Sequence, residues 1–404
     1  MIKRILYTLL IMFPVVASAQ INTDRVMAIG RNALYFEDYV LSIQYFNQVI
    51  NAKPYLSDPY FYRGLAKINL DDFQGAESDC SEAIERNPFV VSAYQVRGLA
   101  RIQQNNFAGA IEDYTKALEF DPENIGVWHN MALCRIRQED YKGAKNDLDK
   151  LIAISPRYTK AYLMRGEVDL KQKDTLAAEK DFGKAIEIDR YDADTWASRA
   201  ILRLQQQRYK DAEADFDHAI RLSTRNSGVY INRALARYHQ NNLRGAMSDY
   251  DIALDIDPNN FIGHYNRGLL RAQVGDDNRA IQDFNFVIEM EPDNMMAIFN
   301  RGLLLDQTGD YKGAIKDYST VINEYPNFLL GYQYRAQARR KIGDVKGADA
   351  DEFKVLKAQL DKQNGVDPNK QTADNTENNK TRKKSDKNMN NYRKIVIADD
   401  SEAD

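Results

Sequence analysis

Residues 261–294 read FIGHYNRGLLRAQVGDDNRAIQDFNFVIEMEPDN, and this stretch decides the fold. It contains a small residue at Gly268, a second small residue twelve positions later at Ala280, and a proline at Pro292. The two small residues mark sites where two helices can approach each other closely. A proline ends a helix because it lacks the N–H donor and clashes with the preceding turn. The stretch therefore predicts a helical hairpin.

The same spacing recurs every 34 residues along most of the chain. The first small residue of each repeat is Gly30, Gly64, Gly98, Ala132, Gly166, Ala200, Ala234, Gly268, Gly302 or Ala336. A second small residue follows twelve positions later in every repeat, and a proline stands in the place of Pro292 in seven of the ten. Ten repeats in register, without an insertion, predict a solenoid of stacked hairpins.

The pattern resembles the tetratricopeptide repeat, whose consensus has a bulky residue at position 4, small residues at positions 8 and 20, an aromatic residue at position 24 and a proline at position 32. The repeats begin near residues 23, 57, 91, 125, 159, 193, 227, 261, 295 and 329. The resemblance implies an all-α protein, an α-solenoid of ten helix-turn-helix units forming a right-handed superhelix. Its concave side would be lined by the first helix of each repeat.

The N-terminal residues differ from the repeats in composition. Lys3 and Arg4 precede an apolar run over residues 5–16 and the sequence ASA at 17–19, which is typical of a secretory signal peptide cleaved after Ala19. A permanent anchor is the alternative, but the run is shorter than the roughly 20 residues that a spanning helix needs. We therefore expect an exported protein, periplasmic or secreted, with its repeat domain over residues 20–362 and no transmembrane segment after cleavage.

The C-terminal residues 363–404 are rich in Asn, Lys and Asp, which predicts a disordered polar tail. Residues 392–397, YRKIVI, are the exception, because they follow a basic cluster and are partly apolar. Three interpretations of this segment stay open. It is solvated, it adds as a strand to the sheet edge of a partner, or it folds back into the protein's own groove.

Composition argues against several classes of function. The chain has 55 basic and 59 acidic residues, a formal net charge of −4, which does not indicate a nucleic-acid binder. The cysteines Cys80 and Cys134 fall in different repeats, so we expect core packing rather than a disulfide. The four histidines are dispersed, and no metalloprotease, nucleotide-loop or serine-hydrolase motif occurs. We expect no enzyme activity, no cofactor and no metal site.

Two charged positions vary together between repeats. Position 7 is arginine in eight repeats and position 23 is aspartate in nine, and the repeat that lacks the aspartate has Ile29 and Tyr45 instead. Only repeat 4, with Met131 and Asp147, breaks the pairing. This covariation predicts a structural ladder of arginine–aspartate contacts. Because position 11 is also basic in most repeats, a stripe that binds an anionic ligand is the alternative.

The positions that face ligands in this family indicate a binding groove. Position 6 is asparagine in four repeats, at Asn130, Asn232, Asn266 and Asn300. An amide side chain donates and accepts hydrogen bonds at once, so a line of asparagines can bind a peptide main chain whatever its side chains. The arrangement resembles the asparagine ladder of superhelical repeat proteins that hold extended peptides. A helix-surface role without a ligand is the alternative.

Apolar residues at positions 5 and 9 predict an apolar groove floor, part of which is ordinary packing between helices. Two aromatic pairs are candidate recognition patches: Phe61 with Tyr62, and Tyr265 with Phe299. Position 9 is mostly leucine, which departs from the carboxylate-clamp subgroup of the family. Capture of a C-terminal carboxylate is therefore not expected.

Together these features predict a scaffold that binds an extended peptide or protein segment in its concave groove and helps to assemble a complex in the cell envelope. The alternative is a carbohydrate-binding solenoid. In that case the asparagines would hydrogen-bond sugar hydroxyls while Tyr265 and Phe299 stack on sugar faces. The sequence indicates no particular oligomeric state.

Overall fold

The computed structural model describes residues 22–222, 225–364, 389, 391–396 and 398. All regular secondary structure within these residues is helical, and 20 helices follow one another as hairpins. They form two compact units that divide after Ile188. The all-α architecture of tandem hairpins, predicted from the 34-residue period, is confirmed. The handedness of the superhelix stays a prediction.

Odd-numbered helices are the first helices of the repeats, and even-numbered helices are the second. The N-terminal unit contains α1 Thr23–Tyr35, α2 Tyr39–Ala52, α3 Asp58–Ile68, α4 Phe73–Arg86, α5 Val91–Gln103, α6 Phe107–Phe120, α7 Ile125–Arg137, α8 Tyr141–Ile154, α9 Thr159–Lys171 and α10 Thr175–Ile188. The C-terminal unit contains α11 Ala193–Gln205, α12 Tyr209–Arg221, α13 Ser227–His239, α14 Leu243–Ile256, α15 Phe261–Gln273, α16 Asp277–Met290, α17 Met295–Thr308, α18 Tyr311–Glu324, α19 Leu329–Lys341 and α20 Val345–Gln363.

The small residues allow the two helices of a hairpin to touch. A Cβ atom placed on Gly98 would stand 2.8 Å from Cε1 of Tyr114, which is closer than packed atoms approach. Tyr114 and the position-20 residue Ala110 are both buried. Positions 8, 20 and 24 therefore form the interior of each hairpin, and neighbouring hairpins share hydrophobic clusters built on these residues.

Local signals set the ends of the helices. The turn inside each hairpin places the residue at position 15 in the left-handed region, as at Asn105 with φ +58° and Gly275 with φ +82°. Asp72 then caps the second helix of its repeat, since its Oδ1 accepts from the Gly75 N–H at 2.9 Å. The helix α4 ends at Arg86, two residues before a proline, as the sequence predicts.

The outer face of the last repeat is not wholly polar. The side chains of Phe353, Leu356 and Leu360 on α20 are exposed. Inner repeats bury the corresponding face against the next hairpin, but the described residues include no further helix to cover it here. Since α20 also carries acidic residues, the helix combines exposed apolar and charged side chains.

Both ends of the chain extend beyond the described residues. Residues 1–21 lie outside them, so cleavage after Ala19 and export stay predictions. No described helix has the length and apolar character needed to cross a bilayer. The predicted disordered tail falls mostly on residues that the structure does not describe. Its described part, Met389, residues 391–396 and Ala398, packs on the C-terminal unit, which is the fold-back alternative.

Candidate binding groove

Three asparagines at position 6 line one surface of the C-terminal unit. Asn232 lies on α13, Asn266 on α15 and Asn300 on α17, so the three are one repeat apart. We call the surface that carries them the groove. Asn232 and Asn266 are fully buried and Asn300 is 5% exposed. Buried amides need hydrogen-bond partners, and the described C-terminal residues 389, 391–396 and 398, hereafter the tail segment, supply them.

Two of the asparagines bind the main chain of the tail segment at two points each. Asn232 Nδ2 donates to the Ala398 carbonyl at 2.9 Å, and the Ala398 N–H donates to Asn232 Oδ1 at 2.9 Å. Asn266 Nδ2 donates to the Val396 carbonyl at 2.6 Å, and the Val396 N–H donates to Asn266 Oδ1 at 2.8 Å. Each amide therefore satisfies both hydrogen-bonding groups of one peptide residue.

The third asparagine shares an acceptor with a tyrosine. Asn300 Nδ2 donates to the Tyr392 carbonyl at 2.5 Å, and the Tyr265 hydroxyl donates to the same carbonyl at 2.7 Å. Asn300 Nδ2 also lies 2.9 Å from the Met296 carbonyl on its own helix. The amide is therefore held in place from both sides.

Apolar side chains of the tail segment enter the core of the unit. The Tyr392 ring packs edge-on against Phe299, with ring centroids 4.8 Å apart. Met389 is buried in the cluster that contains Phe299 and Phe328. Ile395 and Ala398 are buried in two further clusters formed by repeats 6 to 8. The tail segment thus runs from repeat 9 towards repeat 7, opposite to the order of the repeats.

A cavity of about 340 Å³ adjoins the tail segment. Its walls come from α13, α15, α16 and α17 together with the tail segment. Leu269 and Leu303 provide apolar surface, Gln273 and Gln307 provide amides, and Ile395 forms one edge. The cavity is large enough to accept an additional side chain at this place in the groove.

The aromatic pair Tyr265 and Phe299 does not lie on an open surface, contrary to the expectation for a recognition patch. Tyr265 is 4% exposed and Phe299 is fully buried. Phe299 packs between Phe328 and Tyr334 of the next repeat and beneath Tyr392. Both rings are floor and wall of the groove, covered by the tail segment. Burial raises the pKa of Tyr265, so its hydroxyl stays a donor.

The other candidate residues belong to the N-terminal unit. Phe61 and Tyr62 are half-buried, with their ring centroids 5.0 Å apart, and Tyr62 stacks on Phe46. Asn130 on α7 is half-buried. The structure therefore does not bring these three residues together with Asn232, Asn266 and Asn300 in one unit. Their role in binding stays a prediction.

The arginine–aspartate contacts predicted from covariation are present. The pairs, with N···O distances between 2.5 and 2.8 Å, are Arg63–Asp79, Arg97–Asp113, Arg165–Asp181, Arg199–Asp215, Arg233–Asp249, Arg267–Asp283, Arg301–Asp317 and Arg335–Asp351. The basic residue at position 11 joins the same carboxylate, as Arg271 does with Asp283 at 2.7 Å. Because these charges are paired within the protein, the structural ladder is favoured over the anion-binding stripe.

The arginines also connect successive repeats, which the sequence reasoning missed. Arg267 Nη1 donates to Asp251 Oδ1, on the second helix of the preceding repeat, at 2.8 Å. Arg301 reaches Asn285 in the same way at 2.9 Å. The sequence does carry a signal for this contact: position 25 has an acceptor side chain, sixteen residues before the arginine of the next repeat. One guanidinium thus links two hairpins as well as the two helices of its own hairpin.

The two cysteines and His264 are packed against neighbouring residues of the repeats. Burial raises the pKa of Cys80 to about 12 and that of Cys134 to about 11, so both free thiols stay protonated at neutral pH. His264 fills the bulky position 4, where its Nε2–H donates to the Pro258 carbonyl at 3.0 Å and its ring stacks on Phe286. Within the described ranges, no group of three His, Cys, Asp or Glu side chains is arranged to hold a metal ion.

Comparisons with known proteins agree with this architecture. A family model described as TPR repeat matches residues 98–134. Models described as tetratricopeptide repeat match residues 125–158 and 159–192, and residues 198–261 and 265–327. No curated protein gives a significant match.

Solved structures that match the chain include two repeat proteins. The C-terminal part of a TPR repeat-containing protein from Cytophaga hutchinsonii is 16% identical, with a TM-score of 0.51, over 57% of this chain and 95% of that chain. A tetratricopeptide repeat protein from Parabacteroides merdae is 21% identical, with a TM-score of 0.48, over 62% of this chain and 98% of that one. At 16% identity, the similarity to the Cytophaga hutchinsonii protein shows the fold alone. The family matches and the ten described hairpins together show that the chain belongs to the tetratricopeptide repeat family.

Proposed function

We propose that this protein is an interaction scaffold that binds an extended segment of a partner protein in the groove. The observation that carries the proposal is the two-point hydrogen bonding of Asn232 and Asn266 to the main chain of Ala398 and Val396. These bonds use no side-chain atom of the bound segment. Another peptide segment of suitable shape can therefore form them, and the tail segment serves as a guide to how a partner would lie.

The same geometry favours a peptide over a carbohydrate. Asn232 and Asn266 are one repeat apart and bind the main-chain groups of residues that are two apart. Regularly spaced N–H and C=O groups are a property of polypeptides, and the asparagine ladder matches that spacing.

The test replaces the ladder and compares it with a matched control. The ladder variant carries Asn232→Ala, Asn266→Ala and Asn300→Ala. The control variant carries Asn259→Ala, Asn278→Ala and Asn323→Ala, three exposed asparagines of the same unit. Each chain, produced from Gln20 onward with Tyr392→Ser and Ile395→Asp added to release the tail segment, serves as bait in cell-envelope extract. Recovered proteins are then purified, and their direct binding is measured by calorimetry.

We expect wild type and control to bind the same purified partner with equal affinity. The ladder variant should bind at least about tenfold more weakly, because each lost hydrogen bond contributes about 1 kcal/mol. Circular dichroism should give the same helical content for all three proteins. A partner that the ladder variant binds as well as wild type does would place binding elsewhere and contradict the proposal.

The location in the cell envelope is part of the same proposal and is supported by the N-terminal sequence. We expect N-terminal sequencing of the protein from its native host to begin at Gln20. An intact N-terminus on protein recovered from the cytoplasm would contradict export.

A further inference from the structure

The tail segment enters the groove with every third side chain. Met389 is 2% exposed, Ile395 is 8% exposed and Ala398 is 4% exposed, while Tyr392 is half-buried against Phe299. The residues between them include Arg393, Lys394 and Val396, and all three are exposed. The tail segment therefore has one face that fits the groove and another that faces solvent.

The main-chain contacts fix the register of this face. The Tyr392 carbonyl is held by Asn300 and Tyr265, and the peptide groups of Val396 and Ala398 are held by the other two asparagines. Because Tyr392 and Ala398 are both held, the tail segment has little freedom to shift along the groove. A slip by one residue would bring exposed charged side chains into apolar sites, which is unfavourable.

We propose that the tail segment is the internal ligand of the groove, and that a partner segment with the same three-residue pattern competes with it. This inference rests on the proposed function, because it specifies the class of segment that the groove binds. The segment has a large apolar or aromatic residue at the first three contact sites and a small residue at the fourth. The exposed charged residues Arg393 and Lys394 stand between the second and third contact sites.

The requirements at the last two sites differ because their surroundings differ. Ala398 lies in a cluster with Ile231, Ala234 and Tyr250, all fully buried, so the fourth site has room for a methyl group. Ile395 instead borders the cavity of about 340 Å³. A partner with a phenylalanine at the third site would reach into this cavity and bury more apolar surface.

Because the tail segment is part of the chain, it competes with a partner at every protein concentration. The groove of the full chain is then open only for the fraction of time in which the tail segment is released. This fraction lowers the apparent affinity for any partner that needs the same site. Weakening the tail segment should therefore strengthen partner binding without any change in the groove itself.

The first experiment measures this competition with a fluorescein-labelled synthetic peptide of residues 388–400, using fluorescence polarisation. The proteins are the chain from Gln20 onward, its tail variant Tyr392→Ser with Ile395→Asp, and the control Lys394→Asp, which changes an exposed residue. We expect the tail variant to bind the peptide at least about tenfold more tightly than wild type, with the control equal to wild type. Adding Asn266→Ala to the tail variant should abolish this gain.

The second experiment varies the peptide while the protein stays the same. Against the tail variant, peptides with Ile395→Asp or Ala398→Leu should bind at least about tenfold more weakly. A peptide with Ile395→Phe should bind more tightly. Equal affinity for all four peptides would overturn the three-residue pattern.

The outcomes separate this inference from the function it rests on. Equal peptide binding by wild type and tail variant would overturn internal competition while leaving peptide binding in the groove intact. No binding by either protein would overturn both proposals. A concentration-dependent dimer of wild type, absent in the tail variant by sedimentation, would show that a second copy donates the segment and would overturn the internal arrangement.

Discussion

The aspartates at position 23 show how a neighbouring residue changes the pKa of a buried carboxyl. Burial would raise the pKa of Asp283, but hydrogen bonds from His264 and Arg267 and the charge of Arg271 lower it overall. Burial raises the pKa of Asp147, and Arg135 alone does not offset it, because its repeat has Met131 at position 7. Asp147 therefore lacks one of the donors that offset burial at Asp283.

Replacing Met131 with arginine should complete the ladder in repeat 4. The new guanidinium would reach Asp147 and lower the pKa of its carboxyl below the ordinary value of 3.8. In wild type the folded state holds the Asp147 proton more tightly, so this residue's contribution to stability falls as pH rises from 3.8 to the raised pKa. In the variant the pH dependence of this contribution is reversed. The contribution is then present above 3.8 and is lost as pH falls through the lowered pKa.

Carboxyl titration by NMR and urea unfolding between pH 3 and pH 7 would measure both effects. Each unit by which the Asp147 pKa falls corresponds to about 1.4 kcal/mol of unfolding free energy at neutral pH. Met131→Leu, which adds no charge, is the control and should leave the titration unchanged. An arginine variant whose Asp147 pKa stays above 3.8 would show that the guanidinium does not reach the carboxylate.

Removing Arg267 should destabilise the protein, since Asp283 and Asp251 both lose a donor. We expect Arg267→Ala to lower the free energy of unfolding by about 2 kcal/mol, as for other hydrogen bonds to buried charges. Arg279→Ala is the control, because its side chain is 69% exposed and its ion pair with Asp276 is long, at 3.5 Å. Equal effects of the two substitutions in urea unfolding would argue against the ladder as a stabilising feature.

At the scale of the element, each hairpin depends on one backbone conformation. The residue at position 15 has a positive φ throughout, and the last three repeats place Gly275, Gly309 and Gly343 there. L-residues adopt this conformation only with strain, so glycine is the least costly choice. The turn is formed by local geometry and does not require tertiary contacts at this residue.

Gly275→Ala should cost about 1 kcal/mol of unfolding free energy, because φ is +82° and a new Cβ would meet no atom within 4 Å. The cost would thus come from the backbone alone. Gly126→Ala is the matched control: it lies in the first turn of α7, is exposed, has no positive φ, and should not lower the unfolding free energy. Thermal unfolding of both variants would measure the two shifts, and a gain for Gly275→Ala would contradict the strain argument.

At the scale of the whole molecule, the repeats are interchangeable modules. Arg63 Nη1 donates to Asn47 of the preceding repeat, and Arg97 Nη1 donates in the same way to Ser81. Removal of one complete repeat would therefore give each remaining arginine an equivalent acceptor. Stability in such arrays is the sum of repeat and neighbour-interface contributions.

Deletion of residues 57–90 should leave a folded protein, in which Arg97 takes the place of Arg63 opposite Asn47. We expect unchanged helical content per residue by circular dichroism and a single unfolding transition for the shortened unit. Deletion of residues 57–86, which removes 30 residues and so breaks the 34-residue register, is the control and should lose helix. Equal behaviour of both deletions would show that register does not matter.

The sequence by itself determined the hairpins, their boundaries and the ladder. Small residues at Gly98 and Ala110, left-handed residues such as Asn105 and caps such as Asp72 act over at most a few turns of chain. Their effects repeat every 34 residues, so the period makes them visible. The asparagines at position 6 were also found in this way, but as groove residues with no identified occupant.

Only the tertiary structure decided what covers the groove. The bonds from Asn266 to Val396 and from Asn232 to Ala398 join residues 130 and 166 positions apart. No periodic pattern marks such a pairing, because the tail segment occurs once and its composition alone is equally compatible with solvation or with binding to a partner. The same packing buries Tyr265 and Phe299, which sequence position alone leaves on an open surface. Burial is a property of the three-dimensional arrangement, since it depends on which distant segment displaces water from a given face.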